Sequence, residues 1–481
     1  VSAGGIGAWD AERIAAIAGG SVAGGSGRSG PERVVIDSRS AAPGALFLGL
    51  PGARVDGGQF ASEALAAGAW GVLVSPAHAG VAAESGAGGY VIAHPDPLAG
   101  LQALAAAWLA ELTERGARVV AITGSTGKTS TKDILAALLS PVLRTVASPE
   151  NFNTEIGLPL AVLAAPADTE VLVLEMAMRG AGQIAELTAI AQPHIGLIVN
   201  IGPAHLELLG SLEAIAAAKA ELIAGLVPGS TIVIPAEPLL QEHLRADLHT
   251  VTFGDGGDFS LAGREGASVQ ILDRSRTDEP PGVITLEPTF AQPHQLQNLL
   301  AAVAVARALG VTPRGRLEVS FSSHRGQRLP GRGSIVLIDD CYNANPMSMR
   351  AALDDLTLTA SGRSVAVLGD MLELGPQSEQ LHREIGRHAG ETGVQLLVAV
   401  GPLAAAIADE FPGPSHAVPD AHAASELLED LLLAGDTVLV KGSRGVGLER
   451  VVDAYALPAA NGRHPTATGP SLVPGHGGGL R

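Results

Sequence analysis

The sequence predicts an α/β protein of three successive units, each a mostly parallel sheet covered by helices. Three observations predict it. A chain of 481 residues is longer than one ordinary core organises. Short aliphatic runs rich in Val and Ile alternate with Ala-rich helical stretches along almost all of it. A Gly-rich turn, TGSTGKTST (Thr123–Thr131), joins a buried strand pattern to a helix, the junction at which parallel sheets hold anions.

Residues 1–112 form the first expected unit, with strand-like runs ALFLGL, GVLVS and GYVIA between helical stretches. Residues 113–313 form the second, opening with ARVVAITGSTGKTSTKDILAALLS and continuing through EVLVLEMA, HIGLIVNIG and STIVIP. An irregular, antiparallel segment is expected at about 250–288, followed by a closing helix, QLQNLLAAVAVARALG. Residues 314–457 form the third, with strands in SIVLIDD, SVAVLGDM, QLLVAVG and DTVLVKG. The Pro/Gly-rich stretch 458–481 lacks periodicity and is expected to be disordered.

Composition excludes several classes. No run has the length and flanks of a membrane span, and the N-terminal stretch lacks a basic segment followed by an apolar one. The expectation is a cytoplasmic protein with no membrane insertion. A single cysteine, Cys341, cannot form an intrachain disulfide. The net charge of −18 argues against a nucleic-acid partner, so any polyanionic ligand must be held by local devices.

Lysine is scarce: Lys128, Lys132, Lys219 and Lys441 are all there are. Asparagine numbers seven, and both residues have AT-rich codons, so a GC-rich genome accounts for the scarcity. Those that survive are candidates for positions where their chemistry matters. Lys219, in SLEAIAAAKAEL, stands out because Leu212, Ile215, Lys219 and Leu222 fall on one apolar helical stripe. A lysine there either snorkels to the surface, pairs with a neighbour such as Glu221, or is buried with a purpose.

In the Gly-rich turn, backbone N–H groups and the helix N-terminus would cradle phosphates, Lys128 would reach the β- and γ-phosphates and Thr129 a Mg²⁺ ion. The general eight-residue consensus asks for glycine at position 122, where the chain has Ile122. The shorter pattern Thr-Gly-Ser-x-Gly-Lys-Thr resembles the phosphate loop of the Mur ligases, ATP-dependent amide-forming enzymes of peptidoglycan precursor synthesis. NFNTEIGLPLAVL, EMAMRGAGQIAEL, NIGPAHLELLGSLEAIAAAKAEL, DDCYNANPMSMRAAL, VLGDMLELG and VLVKGSRGVGLERVV extend the likeness over roughly residues 30–457. Within the family they best match the member that joins D-alanyl-D-alanine to UDP-N-acetylmuramoyl-tripeptide.

The resemblance implies a uridine-nucleotide domain, then a P-loop ATPase-like domain, then a Rossmann-like domain. It implies ATP and two Mg²⁺ ions as cofactors, with Thr129, Glu175, His205 and a carbamoylated Lys219 as metal ligands. Lys128, His205 and Lys219 would be catalytic. Gly124, Ser125, Thr126, Gly127, Lys128, Thr129, Ser130, Asn298, Arg332, Asp340 and Tyr342 would bind ATP. Ser38, Arg39, Asn151, Asn153, Thr154, Asn343 and Asn345 would face the UDP-sugar peptide or the dipeptide. A monomer is expected.

Departures from the family pattern are Gly58 in place of a histidine, Ala177 in place of a glycine, and Gln295. Cys341 falls in a matched motif, but the implied acyl-phosphate chemistry needs no enzyme nucleophile. Lys441 is open between a functional contact and a structural one, and Lys132 is expected on an exposed helix face. Rival readings are a Mur ligase adding a single amino acid, a non-catalytic nucleotide-binding regulator and a switch-type NTPase. No Asp-Asn-Pro-Arg selector of the single-amino-acid ligases is present, and Lys128, Thr129, Glu175, His205 and Lys219 are all retained, against a degenerate regulator.

Overall fold

The computed structural model describes residues 6–26, 29–149, 151–275 and 280–457, so the stretch expected to be disordered, 458–481, lies outside the described residues. Three sheets succeed one another along the chain. The first has the order Ser21–Gly24, Tyr90–Ala93, Gly71–Val74, Ala45–Leu48, Arg33–Val35, antiparallel only at its first pair. The helix Pro97–Glu114 leaves it, N-capped by Asp96, whose carboxylate accepts from the backbone N–H groups of Leu98 and Ala99. Its Trp108 packs edge-on against Trp9, with ring centroids 6.0 Å apart, and donates its indole N–H to the Ala165 carbonyl of the next unit at 3.0 Å. One apolar cluster therefore runs through both units. The expected boundary at residue 112 falls inside this helix, which continues to Glu114.

The central sheet has ten strands, and its inner strands Arg118–Thr123, Val171–Glu175 and Ile195–Ile198 are almost entirely buried. Burial on both faces is what continuous aliphatic runs dictate in a parallel sheet. Arg118–Thr123 lies between the other two, both parallel to it. The chain fills one side of this strand and then crosses to the other, so the strand marks a topological switch point. In open α/β sheets the ligand crevice opens there, beyond the carboxyl ends of the strands. The far half is antiparallel, with Phe259–Glu265, Ser268–Asp273 and Gly282–Pro288 paired in sequence. Gly315–Leu317 adds parallel to Gly282–Pro288 as the edge strand. The expected boundary between 313 and 314 is thus corrected, because backbone pairing holds that strand in the central sheet.

The third sheet has the order Gln327–Pro330, Val336–Asp339, Thr437–Lys441, Ser364–Gly369, Leu396–Val400, Ser415–Val418. All neighbours are parallel except the first pair, a hairpin that sets Gln327 opposite Asp339 and Pro330 opposite Val336. The carboxyl ends of its strands deliver Asp340, Asp370 and Lys441. No described helix is long and apolar enough to cross a membrane.

Candidate active site

The phosphate loop follows the switch-point strand directly. Gly124 has φ +155° and Gly127 φ +76°, and a Cβ on Gly127 would lie 2.5 Å from Asn298 Oδ1. Only glycine fits there on both counts. The turn after the neighbouring strand holds the loop in shape. Asn200 accepts from Thr126 N through Oδ1 at 3.0 Å and donates through Nδ2 to Thr126 O at 3.1 Å. Ser125 Oγ lies 2.9 Å from both the N and the O of Gly202. The side chains of Ser125 and Thr126, expected at ATP, are therefore turned to loop anchoring. What remains for an anion is the N-terminus of the helix Lys128–Leu139, whose first N–H groups have no intrahelical acceptor, together with Lys128. Lys128 Nζ now rests on the Gly124 carbonyl at 2.9 Å.

Beside the loop, Thr129 Oγ1 donates to Glu175 Oε2 at 2.9 Å, and Asn153 Nδ2 donates to Glu175 Oε1, also at 2.9 Å. Asn153, expected on the substrate side, is thus tied to the buried carboxylate. Lys132, expected to be exposed, is buried and donates to the Ser148 carbonyl at 2.8 Å. The same Ser148 accepts Glu175 N at its hydroxyl, so Lys132 braces the strand end that presents Glu175.

Lys219 lies on the helix Leu212–Gly225 and is 2% exposed. Ile215 and Leu222 share its buried face as expected, whereas Leu212, in the first turn, is exposed. Lys219 Nζ has no hydrogen-bond or ion-pair partner among the described residues. Glu221, the alternative partner, instead accepts the backbone N–H groups of Gly182 and Ala185. Burial pushes the Lys219 amine well below its ordinary pKa, and the nearby Lys128 charge pushes it further. Burial also lowers Lys128, with Glu175 opposing and Arg325 reinforcing the shift.

His205 ends the third strand's turn at φ +58°, and its Nδ1 lies 2.6 Å from Glu373 Oε2 of the third unit. Thr129, Glu175 and His205 are a hydroxyl, a carboxylate and an imidazole held through one nitrogen by a carboxylate, which leaves Nε2 available. That donor set fits a hard divalent cation bound through few protein ligands. Lys219 and Arg325 both add positive charge near Lys128, against the single carboxylate of Glu175, which leaves the pocket short of negative charge.

The third unit closes over the loop. Met347 Sδ accepts from Thr126 Oγ1 at 3.3 Å. The Arg325 guanidinium stacks on Tyr342 with its carbon 4.0 Å from the ring centroid, and Arg444 stands 5.2 Å from the same ring. Burial raises the Tyr342 phenol, with the two arginines opposing. Asn298 is buried against Gly127, and its Nδ2 donates to Gln295 at 3.1 Å.

Arg332 is not with them. The hairpin carries the chain away from the site and back, so Arg332 sits at its turn, exposed, in a cleft with Leu428, Leu432 and Tyr455. Arg325, at the open end of the hairpin, is the arginine whose charge reaches Lys128. The register that pairs Gln327 with Asp339 therefore holds Arg332, expected at the nucleotide, away from the phosphate loop and brings Arg325 nearer to it.

Asp340 is paired with buried Lys441 at 2.7 Å, and the same Nζ donates to Asn343 O at 2.9 Å, so Lys441 is an anchor of the loop that carries Tyr342. Asn343 accepts Ala344 N at its side chain. Asn345, expected at substrate, caps the helix Pro346–Thr359 in a reciprocal pair with Ser348. In the first unit, Ser38 and Arg39 lie on a short 3₁₀ turn, where Arg39 Nε is 2.9 Å from Asp37 Oδ1. Asn151 and Thr154 are exposed just before the helix Gly157–Leu163, with Thr154 Oγ1 accepting Gly157 N at 3.3 Å. Among the described residues, none of these four side chains hydrogen-bonds to Lys128, Thr129 or Glu175. Cys341 is buried and its thiol is raised by burial and by Asp339, the opposite of an activated nucleophile.

Comparison with known proteins matches three family models: the Mur ligase family catalytic domain over residues 32–115, the Mur ligase middle domain over 122–306, and the Mur ligase glutamate ligase domain over 324–444. A UDP-N-acetylmuramoyl-tripeptide–D-alanyl-D-alanine ligase of Mycobacterium tuberculosis (strain CDC 1551 / Oshkosh) is 39% identical, covering 92% of this chain and 96% of its own length. The ligase of the same name from Bacillus subtilis (strain 168) is 36% identical over 87% of this chain and 92% of its own length. Among solved structures, MurF from Acinetobacter baumannii superposes with a TM-score of 0.80 at 29% identity, covering 92% of this chain and 98% of its own. MurF from Thermotoga maritima in complex with ADP gives 0.73 at 30% identity, covering 88% of this chain and 96% of its own.

Proposed function

The chain belongs to the Mur ligase family, and on that premise we propose that it joins D-alanyl-D-alanine to UDP-N-acetylmuramoyl-tripeptide, with ATP converted to ADP and phosphate. The γ-phosphoryl group passes to the tripeptide carboxylate, forming an acyl phosphate. The dipeptide amine attacks that carbonyl, and the tetrahedral intermediate collapses with loss of phosphate to give the UDP-linked pentapeptide. The reaction takes place in the cytoplasm and the enzyme acts as a monomer. The UDP-sugar lies on the first unit, near Ser38 and Arg39, ATP on the central unit and the dipeptide on the third.

The observation that supports this reading is the grouping of Lys128, Thr129, Glu175 and Lys219 at one switch point, with His205 on the turn after the neighbouring strand held by Glu373 of the third unit. Lys128 and the helix N-terminus hold and neutralise the β- and γ-phosphates, an electrostatic task. Asn298 and Arg325 hold the nucleotide from either side. Packing of Met347 and Glu373 onto the central unit excludes water from the acyl phosphate.

Thr129, Glu175, His205 and Lys219 as its carbamate would hold Mg²⁺. When bound, the ion neutralises charge on the transferring phosphoryl group. Carbamoylation answers the shortage of negative charge. A buried amine kept neutral can add to CO₂, losing one proton and becoming an anion, which arginine cannot do.

The test is ATP-dependent product formation from UDP-N-acetylmuramoyl-tripeptide with D-alanyl-D-alanine, and separately with glutamate or diaminopimelate, read by mass. An adduct with the dipeptide alone is expected. Absence of any adduct together with absence of phosphate release rejects the reading.

A further inference from the structure

A second cluster adjoins Tyr342, whose backbone N–H donates to the His324 carbonyl. His324, Asp339 and Cys341 each place a ligand atom within 4.8 Å of the other two. Cys341 Sγ is 3.1 Å from Asp339 Oδ1 and 3.6 Å from His324 Nδ1, which is itself 2.8 Å from Asp339 Oδ2. Around a tetrahedral zinc, bonds of about 2.3 Å to sulfur and about 2.0 Å to nitrogen set sulfur and nitrogen about 3.5 Å apart. The sulfur–nitrogen pair already has that spacing, and each of the two touches a different oxygen of the Asp339 carboxylate, which so faces both.

The frame is fixed by the fold. Asp339 ends its strand, and Cys341, two residues on, projects to the same side. His324 is held at φ +60° by its own N–H, which donates to Gln327 Oε1 at 2.9 Å, and by its carbonyl, which accepts Tyr342 N at 3.3 Å. Asp339 and Cys341 are buried, while the His324 side chain is 35% exposed and opens the cluster to solvent.

We propose that His324, Asp339 and Cys341 form a binding site for one soft divalent cation of the zinc type, separate from the phosphate-loop cluster. Charge supports it. With the imidazole protonated, the carboxylate ionised and the thiol intact, the cluster is neutral. With a divalent cation, neutral imidazole, carboxylate and thiolate, it is neutral again, so loading buries no net charge. Two protons leave as the cation enters, one from sulfur and one from nitrogen. The hydrogen bond to Asp339 raises the imidazole above its ordinary pKa and burial raises the thiol, beside the hydrogen bonds that join the three groups. His324 and Cys341 immediately precede Arg325 and Tyr342, so a cation here would clamp the base of that stack.

Co²⁺ tests this, since Cys341 is the chain's only cysteine and any thiolate-to-cobalt charge-transfer band reports it alone. The full chain, saturated with Mg²⁺, is expected to bind one Co²⁺ with such a band. Cys341→Ser is expected to lose the band while keeping Mg²⁺-dependent activity. His324→Asn, which tolerates the left-handed backbone, is expected to bind at least about tenfold more weakly. Binding without the band, or equal Co²⁺ affinity in wild type and either variant, overturns the proposal and leaves a hydrogen-bonded triad only.

Discussion

Glu373 of the third unit lies 2.6 Å from His205 of the central unit, and its backbone carbonyl accepts Glu207 N at 3.2 Å. The contact is tight on both sides, since Gly375, at φ +63°, comes so close that a Cβ would sit 2.9 Å from Glu207 Cα. A side chain of one unit thus orients an expected metal ligand of another.

Replacing Glu373 by Ala is expected to raise the Mg²⁺ concentration for half-activation by about 10- to 100-fold, the usual effect of removing a carboxylate behind a ligating histidine. Glu373→Gln, which keeps a hydrogen bond, should recover much of it. Mg²⁺ activation curves at saturating ATP measure both. Unchanged curves in the Ala variant would reduce the contact to packing.

Lys219→Ala is expected to lower kcat by about three orders of magnitude, because the proposed carbamate would take several kcal/mol of charge stabilisation with it. Short-chain carboxylic acids added at millimolar levels should restore part of the activity. Lys219→Arg should be as inactive as the Ala variant and beyond rescue. A fully active Arg variant would exclude the carbamate.

Arg325→Ala is expected to lower kcat/KM for ATP by about 10- to 100-fold, since a hydrogen bond to a charged group is worth about 1.5–3 kcal/mol. Arg332→Ala, at the other end of the hairpin, should stay within about twofold of wild type. Steady-state kinetics with ATP varied decides between them.

Asn345→Ala should cost about 1 kcal/mol of stability through loss of the helix cap, and Asn345→Asp should restore it. Denaturant unfolding gives the numbers. If Asn345→Asp regains stability but not dipeptide affinity, the amide has a substrate role beyond capping.

His382 anchors the loop that carries Glu373: its Nε2 accepts Met371 N at 2.9 Å while Nδ1 lies 2.6 Å from Ser378 O. Burial lowers its pKa below the ordinary 6.5. A histidine depressed in the folded state contributes stability that is full above the unfolded pKa. That contribution is lost as pH falls through 6.5 towards the folded value. Thermal unfolding from pH 8 to pH 5 should therefore show a steeper loss in wild type than in His382→Gln, and equal slopes would remove His382 from the account.

Much of this was legible in the chain itself. The three-unit α/β order, the phosphate loop, Thr129, Glu175, His205 and the inward face of Lys219 depend on short-range patterns: aliphatic runs, glycines that allow positive φ, and a helical period of 3.6. Such patterns act over a few residues, and the sequence displays them directly. Tertiary structure alone decided what happens across long separations. Arg325 and Arg332 look alike in sequence, and a hairpin register sends one towards Lys128 and the other away. Lys132 turns inward and donates to the Ser148 carbonyl, Asn153 serves Glu175, and Asn345 caps a helix. Glu373 meets His205 only because two sheets bring their carboxyl ends together. Local chemistry selects which groups are available; the partner that each one meets depends on where distant segments are packed, and the sequence does not print that distance.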